Sequence, residues 1–335
     1  MATTYTAATA DAGRSHATPW LSWLLGTAVL SAVVAAALHL SEGQAFVQLA
    51  ERAQPWWIGA AAVMQVGTYV AQGWIWRLVG AAANYRLSWR GALELAFAKL
   101  FTDQALPSAG LSSSIVVAKA LERWQLRSGA VKASVLVNIA SYHMAYVVAL
   151  LGALVMLQRR GDANALVMVT AVLFLLFSLG LSVAVLVLSG HRYGRPTGIL
   201  QKIPGLSTIL DFMSAADVRL VRSPQLLSRA VGLQGAIVLL DAATFWVLVR
   251  ALGVTAPAGG VFISFMIASL FRTMGIVPGG LGTFEATSVL MLRMVGIDVA
   301  VALSATLLFR GLSFWLPMLP GYWCSHRLLI TPEPM

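Results

Sequence analysis

The chain has 335 residues, 59% of them hydrophobic and only 11% charged, whereas a soluble domain carries about 25% charged residues. A water-soluble fold is excluded and a polytopic membrane protein is expected. The net charge of +10 comes mostly from Lys and Arg between the apolar runs, which marks loops facing an anionic cytoplasmic leaflet; nucleic-acid binding would need a basic soluble module that the sequence lacks.

Residues 1–19 are small and polar, and a disordered cytoplasmic tail is expected there. The apolar run that follows, Trp20–Leu40, has about 20 residues, beyond the roughly 7–15 of a signal-peptide core, so it reads as a retained span. Further spans are expected at Pro55–Trp76, Ala133–Leu157, Ala165–Leu188, Leu226–Arg250 and Val299–Trp323. Two other apolar stretches, Gly91–Leu121 and Gly259–Val295, are too short for two spans each and carry Pro and Gly near their middles. Irregular backbone at membrane depth survives only when buried in protein or lining a wet cavity, so each stretch is expected to be a broken re-entrant helical hairpin. Tyr193–Arg222 mixes Leu, Ile and Phe with basic residues and reads as an amphipathic connector at the surface, or as a plain linker. Residues 328–335 form a short tail. The expected fold is all-α, with residues 20–327 as one transmembrane domain of six spanning helices and two hairpins.

Basic residues set the orientation. Arg77–Arg90, Lys119–Lys132, His191–Arg229 and the His326–Arg327 end are placed in the cytoplasm, with Arg14 agreeing. Both termini then lie inside, and the connections near Glu42–Arg52 and Gly253–Ala258 face out; Arg159 and Arg160 dissent. The two hairpins enter from opposite faces, so residues 55–157 and 226–323 are expected to be an inverted repeat of the kind many secondary transporters use. The loops "LPSAGLSSS" and "VPGGLGTFE" echo one another.

In the second loop, Pro278 ends a helix, and Gly279, Gly280 and Gly282 permit backbone closed to other residues. Thr283 is the expected N-cap of a new helix, whose positive end would attract an anion. Ser112, Ser113 and Ser114 are expected to cap the corresponding arm of the first hairpin. Glu285 either complements the helix dipole or serves a ligand. Arg272, Arg310 and Asp241 stand inside apolar runs, where a charge costs roughly 2.5–3.5 kcal/mol and must face a partner or a wet cavity. Two arginines and two acids either neutralise one another, or leave an arginine free to hold a phosphate by a charge-assisted contact. Lys99 and Asp103 are spaced to pair along one helix face. His143, with Tyr142, Tyr146 and Asn138, either packs or lines a polar cavity. Tryptophans at the span ends, such as Trp56, Trp57 and Trp323, are interface anchors. Cys324 is the only cysteine, so no disulfide within the chain is expected. No nucleotide-binding loop, metal-spaced histidines or nucleophile elbow is present, so no cofactor, metal or catalytic residue is expected.

The run Pro278-Gly279-Gly280-Leu281-Gly282-Thr283-Phe284-Glu285, late in a polytopic chain, resembles the lysylphosphatidylglycerol synthase transmembrane family, which includes flippase domains of the multiple peptide resistance factor type. The earlier loop of that family commonly resembles P-G-R-x-G-E. Here Pro107-Ser108-Ala109-Gly110-Leu111-Ser112 lacks both charged residues, so the lipid is either a phospholipid or a less charged isoprenoid- or hopanoid-type lipid. The resemblance implies a bacterial inner-membrane protein that moves lipid between leaflets. Family members that synthesise aminoacyl lipid carry a soluble C-terminal domain, and that activity is not expected of this chain. Three functions stay open: a lipid translocase in which Arg272, Arg310, Glu285, Asp241, Asp103, Ser112, Ser113 and the glycine-rich turn bind the head group; a proton-coupled transporter of a small anionic solute; and an intramembrane lipid-modifying enzyme or its accessory subunit. Membrane lipid is the expected partner, and self-association is left open.

Overall fold

The computed structural model describes residues 54–106, 111–161, 165–191, 206–274 and 277–330. The expected tail, the expected span Trp20–Leu40, the loop residues 107–110 and residues 193–205 of the connector lie outside the described residues. The described residues form helices only: α1 (Pro55–Ala82), α2 (Trp89–Ala105), α3 (Leu111–Arg123), α4 (Ser128–Arg160), α5 (Ala165–Leu188), α6 (Leu206–Ser214), α7 (Val218–Val221), α8 (Pro224–Ala251), α9 (Ala258–Met274), α10 (Thr283–Met294), α11 (Val299–Arg310) and α12 (Leu316–Ile330). Local chemistry sets several starts. Pro55 and Pro224 open α1 and α8, where a missing N–H is no loss. Ser88, Ser223 and Asp298 accept a backbone N–H at the starts of α2, α8 and α11, which satisfies donors that the helix itself cannot.

Four segments are long and apolar enough to cross a bilayer: Ser128–Arg159, Ala165–Leu188, Pro224–Ala251 and Val299–Leu328. Each coincides with an expected span, so the chain is a multi-pass membrane protein. Helix α1 has 28 residues and is about 42 Å long, but it is not among those four; Gln65, Thr68, Gln72 and Arg77 lower its apolarity. The last span also differs from the expected single α-helix. Gly311–Trp315 form a π-helical turn between α11 and α12.

Both interrupted stretches are pairs of helices. In the first, α2 packs on α3; in the second, α9 packs on α10. The longest seam joins α1 to α8, while α2 lies along α12, and α9 lies against α4. Four rings, Phe245 of α8, Phe265 of α9, Phe284 of α10 and Phe309 of α11, pack at centroid distances of 5.4 to 6.4 Å. They tie the second hairpin to its flanking helices and fix where the glycine-rich turn sits.

The α2–α12 seam is close. A Cβ on Gly321 would stand 2.6 Å from Phe101 Cβ and 2.8 Å from the Phe97 carbonyl oxygen. Across the same seam Arg327 reaches buried Glu94 at 3.2 Å, which also holds Arg90. Because Phe97 offers backbone rather than a movable side-chain tip, Gly321→Ala is expected to destabilise the protein by about 1–3 kcal/mol, read as a lower midpoint of unfolding in detergent.

Candidate functional site: a polar interior between the two hairpins

The second break is built around an ion pair. Pro278–Gly280 form one 3₁₀ turn, and Gly279, Gly280 and Gly282 adopt φ of 59°, 63° and 81°, the left-handed region that glycine enters without steric cost. Gly282, not Thr283, is the N-cap of α10; the Thr283 hydroxyl instead donates to the Gly280 carbonyl at 2.9 Å. Glycine has no side chain to complete a capping box, so only the return bond forms, with the Gly282 N–H donating to Glu285 Oε2 at 2.6 Å. The other oxygen of Glu285 accepts from Arg310 Nε at 2.6 Å, and Arg310 Nη2 donates to the Gly279 carbonyl at 3.0 Å. The side chains of Arg310 and Glu285 are 3% and 1% exposed. Of the two options the sequence left for Arg310 and Glu285, the structure has mutual neutralisation, and the carboxylate of Glu285 occupies the helix end that was expected to receive an anion.

Arg272 is different. It ends α9 half-buried, donates to the Tyr146 hydroxyl at 3.4 Å, and has no carboxylate at ion-pair distance among the described residues. Gly280 lies against its Cα, Cβ and Cγ, so the turn backs the arginine. Tyr146 is packed against Tyr142, with ring centroids 4.7 Å apart. Asp241, half-buried on α8, accepts from Gln65 Nε2 at 2.8 Å, and its charge and that of Arg272 act on one another.

The first hairpin reaches the same turn, since its helix α2 touches Pro278–Gly280. Asp103 pairs with Lys99 at 2.7 Å, as their spacing predicts. Gln104 Nε2 donates to the Ser313 carbonyl at 3.1 Å and the Tyr69 hydroxyl to the Leu312 carbonyl at 3.1 Å, two oxygens in the π-helical turn. Asp103 Oδ1 and Gln104 Oε1 are buried and accept nothing from the described residues. Ser112, Ser113 and Ser114 lie within the first turn of α3 rather than at its cap, which falls outside the described residues. His143 meets Ser178 of α5 at 3.1 Å, apart from the partners of Arg272. A shallow depression lined by Leu186, Val187, Arg222, Pro224 and Leu227 lies elsewhere, where Arg222 caps the Leu186 and Val187 carbonyls of α5.

Residues 23–321, which include both breaks and every residue of this polar group, match the model described as the lysylphosphatidylglycerol synthase TM region. The chain belongs to that family. A curated relative, the UPF0104 membrane protein PH1989 of Pyrococcus horikoshii, is 34% identical over 61 residues, 18% of each chain. The chain therefore aligns with less than a fifth of that relative's length.

In this member of the lysylphosphatidylglycerol synthase TM region family, sequence reading singled out Asn138, Tyr142 and Tyr146 but missed the glutamines of the polar interior. Gln72 Nε2 and Gln234 Nε2 both donate to Asn138 Oδ1, at 3.1 and 3.3 Å. Gln65 also reaches Thr244 at 3.3 Å. The signal was available as spacing. Gln65, Tyr69 and Gln72 share one face of α1, and Asn138, Tyr142 and Tyr146 share one face of α4, at the three- and four-residue steps that align side chains on a helix.

Proposed function

We propose that this protein is a lipid translocase of the bacterial inner membrane, moving a polar head group past the midplane while the acyl chains stay in the bilayer. The observation that carries the reading is Arg272: a half-buried cation at the end of α9 that donates to the Tyr146 hydroxyl and has no carboxylate at ion-pair distance among the described residues. An unpaired guanidinium at membrane depth is costly unless a ligand or water meets it, and its planar fork suits a phosphate. Arg310, engaged with Glu285, serves instead to hold the turn behind Arg272.

The inverted-repeat reading supports this function. Helices α1 and α8 each have 28 residues and both open with proline; α2 and α9 each have 17; α3 and α10 have 13 and 12. The first arm of each hairpin packs on the closing helix of the other half, α2 on α12 and α9 on α4. Repeats of this kind place the substrate at their interface and move by rocking one half against the other. In the cell the termini face the cytoplasm, no cofactor takes part, and the lipid leaves chemically unchanged.

The test uses the purified chain in liposomes of phosphatidylethanolamine and phosphatidylglycerol with a trace of head-group-accessible fluorescent phosphatidylglycerol. Wild type is expected to move the probe between leaflets without changing its mass. Arg272→Ala is expected to slow it at least about tenfold, the loss of one charge-assisted contact, while elution as a folded protein is retained. Equal rates for wild type, Arg272→Ala and empty liposomes rule out translocation of this lipid class through Arg272. Uptake of inorganic phosphate without lipid movement replaces the reading with solute transport.

A further inference from the structure

Helices α1 and α8 share two polar positions. When the two are laid over one another from their opening prolines, Gln65 falls on Gln234 and Gln72 falls on Asp241. The hydrogen bonds cross over: Gln65 reaches Asp241, and Gln72 meets Gln234 through Asn138. That is the pairing expected of two antiparallel helices related by a two-fold axis, where position i of one faces j of the other and j faces i. Within each helix the two polar positions are seven residues apart, two turns along one face and about 10 Å along the axis. The two levels thus straddle the midpoint of the α1–α8 seam, about 5 Å to either side.

One level carries the carboxylate of Asp241, held by Gln65. The other is built from three amides. Asn138 and Gln234 are buried and Gln72 is half-buried, and three carboxamides in an apolar helix bundle are costly unless their hydrogen-bonding capacity is used. Their mutual bonds use one acceptor and two donors, so further donors and acceptors of the three amides remain for other partners. Tyr142 and Tyr146, one and two turns along α4 from Asn138, carry polar groups from this level to Arg272.

We propose that Gln72, Asn138 and Gln234 form a second station on the transport path, the repeat-related counterpart of the Gln65–Asp241 level. It receives the uncharged hydrogen-bonding groups of the lipid, hydroxyls and ester carbonyls, as the anionic group leaves Arg272. Neutral amides suit this task because they satisfy a polar group without trapping it, and a transport site must release what it binds. The inference rests on the translocase reading, and it adds a second site, a ligand chemistry and a set of residues to it.

Two variants in the same liposomes test it, with phosphatidylglycerol co-purification measured by native mass spectrometry as a separate readout. Gln72→Leu combined with Gln234→Leu is expected to slow probe movement at least about tenfold, the effect of one lost buried hydrogen bond, while co-purified phosphatidylglycerol stays within about twofold because Arg272 is intact. Movement within about twofold of wild type overturns the station. The second variant exchanges the levels. Asp241→Gln alone is expected to be slow, and Gln72→Asp with Asp241→Gln is expected to regain at least about a third of the wild-type rate, since the repeat makes the two positions equivalent. A double exchange no faster than Asp241→Gln overturns that equivalence and the station with it. If the leucine variant does not fold, the exchange decides, because it keeps a polar group at every position. Wild type that moves no lipid removes the translocase reading and the station together; wild type that moves lipid beside an equally fast leucine variant removes the station alone.

Discussion

Glu285→Ala is expected to destabilise the protein by about 3–5 kcal/mol, the cost of leaving a buried charge without its partner. The carboxylate has two duties. One oxygen neutralises Arg310 and the other accepts the Gly282 N–H that opens α10. Alanine removes both, and Arg310, between the Phe314 and Phe284 rings at 4.2 and 5.5 Å, has no alternative carboxylate at ion-pair distance among the described residues. Combining Glu285→Ala with Arg310→Met is expected to recover much of the loss, because an apolar replacement of a whole buried pair is often neutral or stabilising. Unfolding titrations in detergent for the single and double variants measure this. A single variant as stable as wild type would mean that water reaches the pair.

Gly280→Ala is the second large effect. At φ of 63° an L side chain costs roughly 1–2 kcal/mol in backbone strain. The new methyl would also stand 2.2 Å from Arg272 Cγ and 3.0 Å from its Cα, and forced overpacking adds about 1–3 kcal/mol. Because the Cα belongs to the backbone of α9, bending the arginine side chain alone does not relieve the clash. The variant is therefore expected to lose about 2–5 kcal/mol of stability and to displace Arg272. Gly253→Ala is the control, since it has a comparable φ of 83° with nothing within 4 Å of the added methyl. It should show the backbone strain alone, and the gap between the two variants in an unfolding titration isolates the clash.

Both interruptions were legible in the sequence because proline and clustered glycines stop a helix by backbone chemistry, whatever packs around them. Helix α9 stops at Met274, short of Pro278 and the glycines, and the spacing of Lys99 and Asp103 foretold their bond. Charges inside apolar runs were equally visible, but their partners were not. Whether Arg310 meets Glu285 or a ligand depends on how α10 and α11 pack, over 25 residues of separation. The cap of α10 moved by one residue because Thr283 found the Gly280 carbonyl, a bond made possible by a tight turn whose dihedrals leave no mark beyond the glycines themselves. The glutamines were passed over because an uncharged side chain in a long helix suits a packed seam as well as it suits a site. Only the contacts across α1, α4 and α8 turn them into a group.

The π-helical turn at Gly311–Trp315 divides the loyalties of the final span. Before it, α11 lies with α8 and α10; after it, α12 lies with the first hairpin. Its Leu312 and Ser313 carbonyls are held by Tyr69 and Gln104 of the first half, so at this turn the halves are stitched by one hydroxyl and one amide hydrogen bond. If the halves rock as the proposed function requires, these two bonds can part while every long helix stays wound.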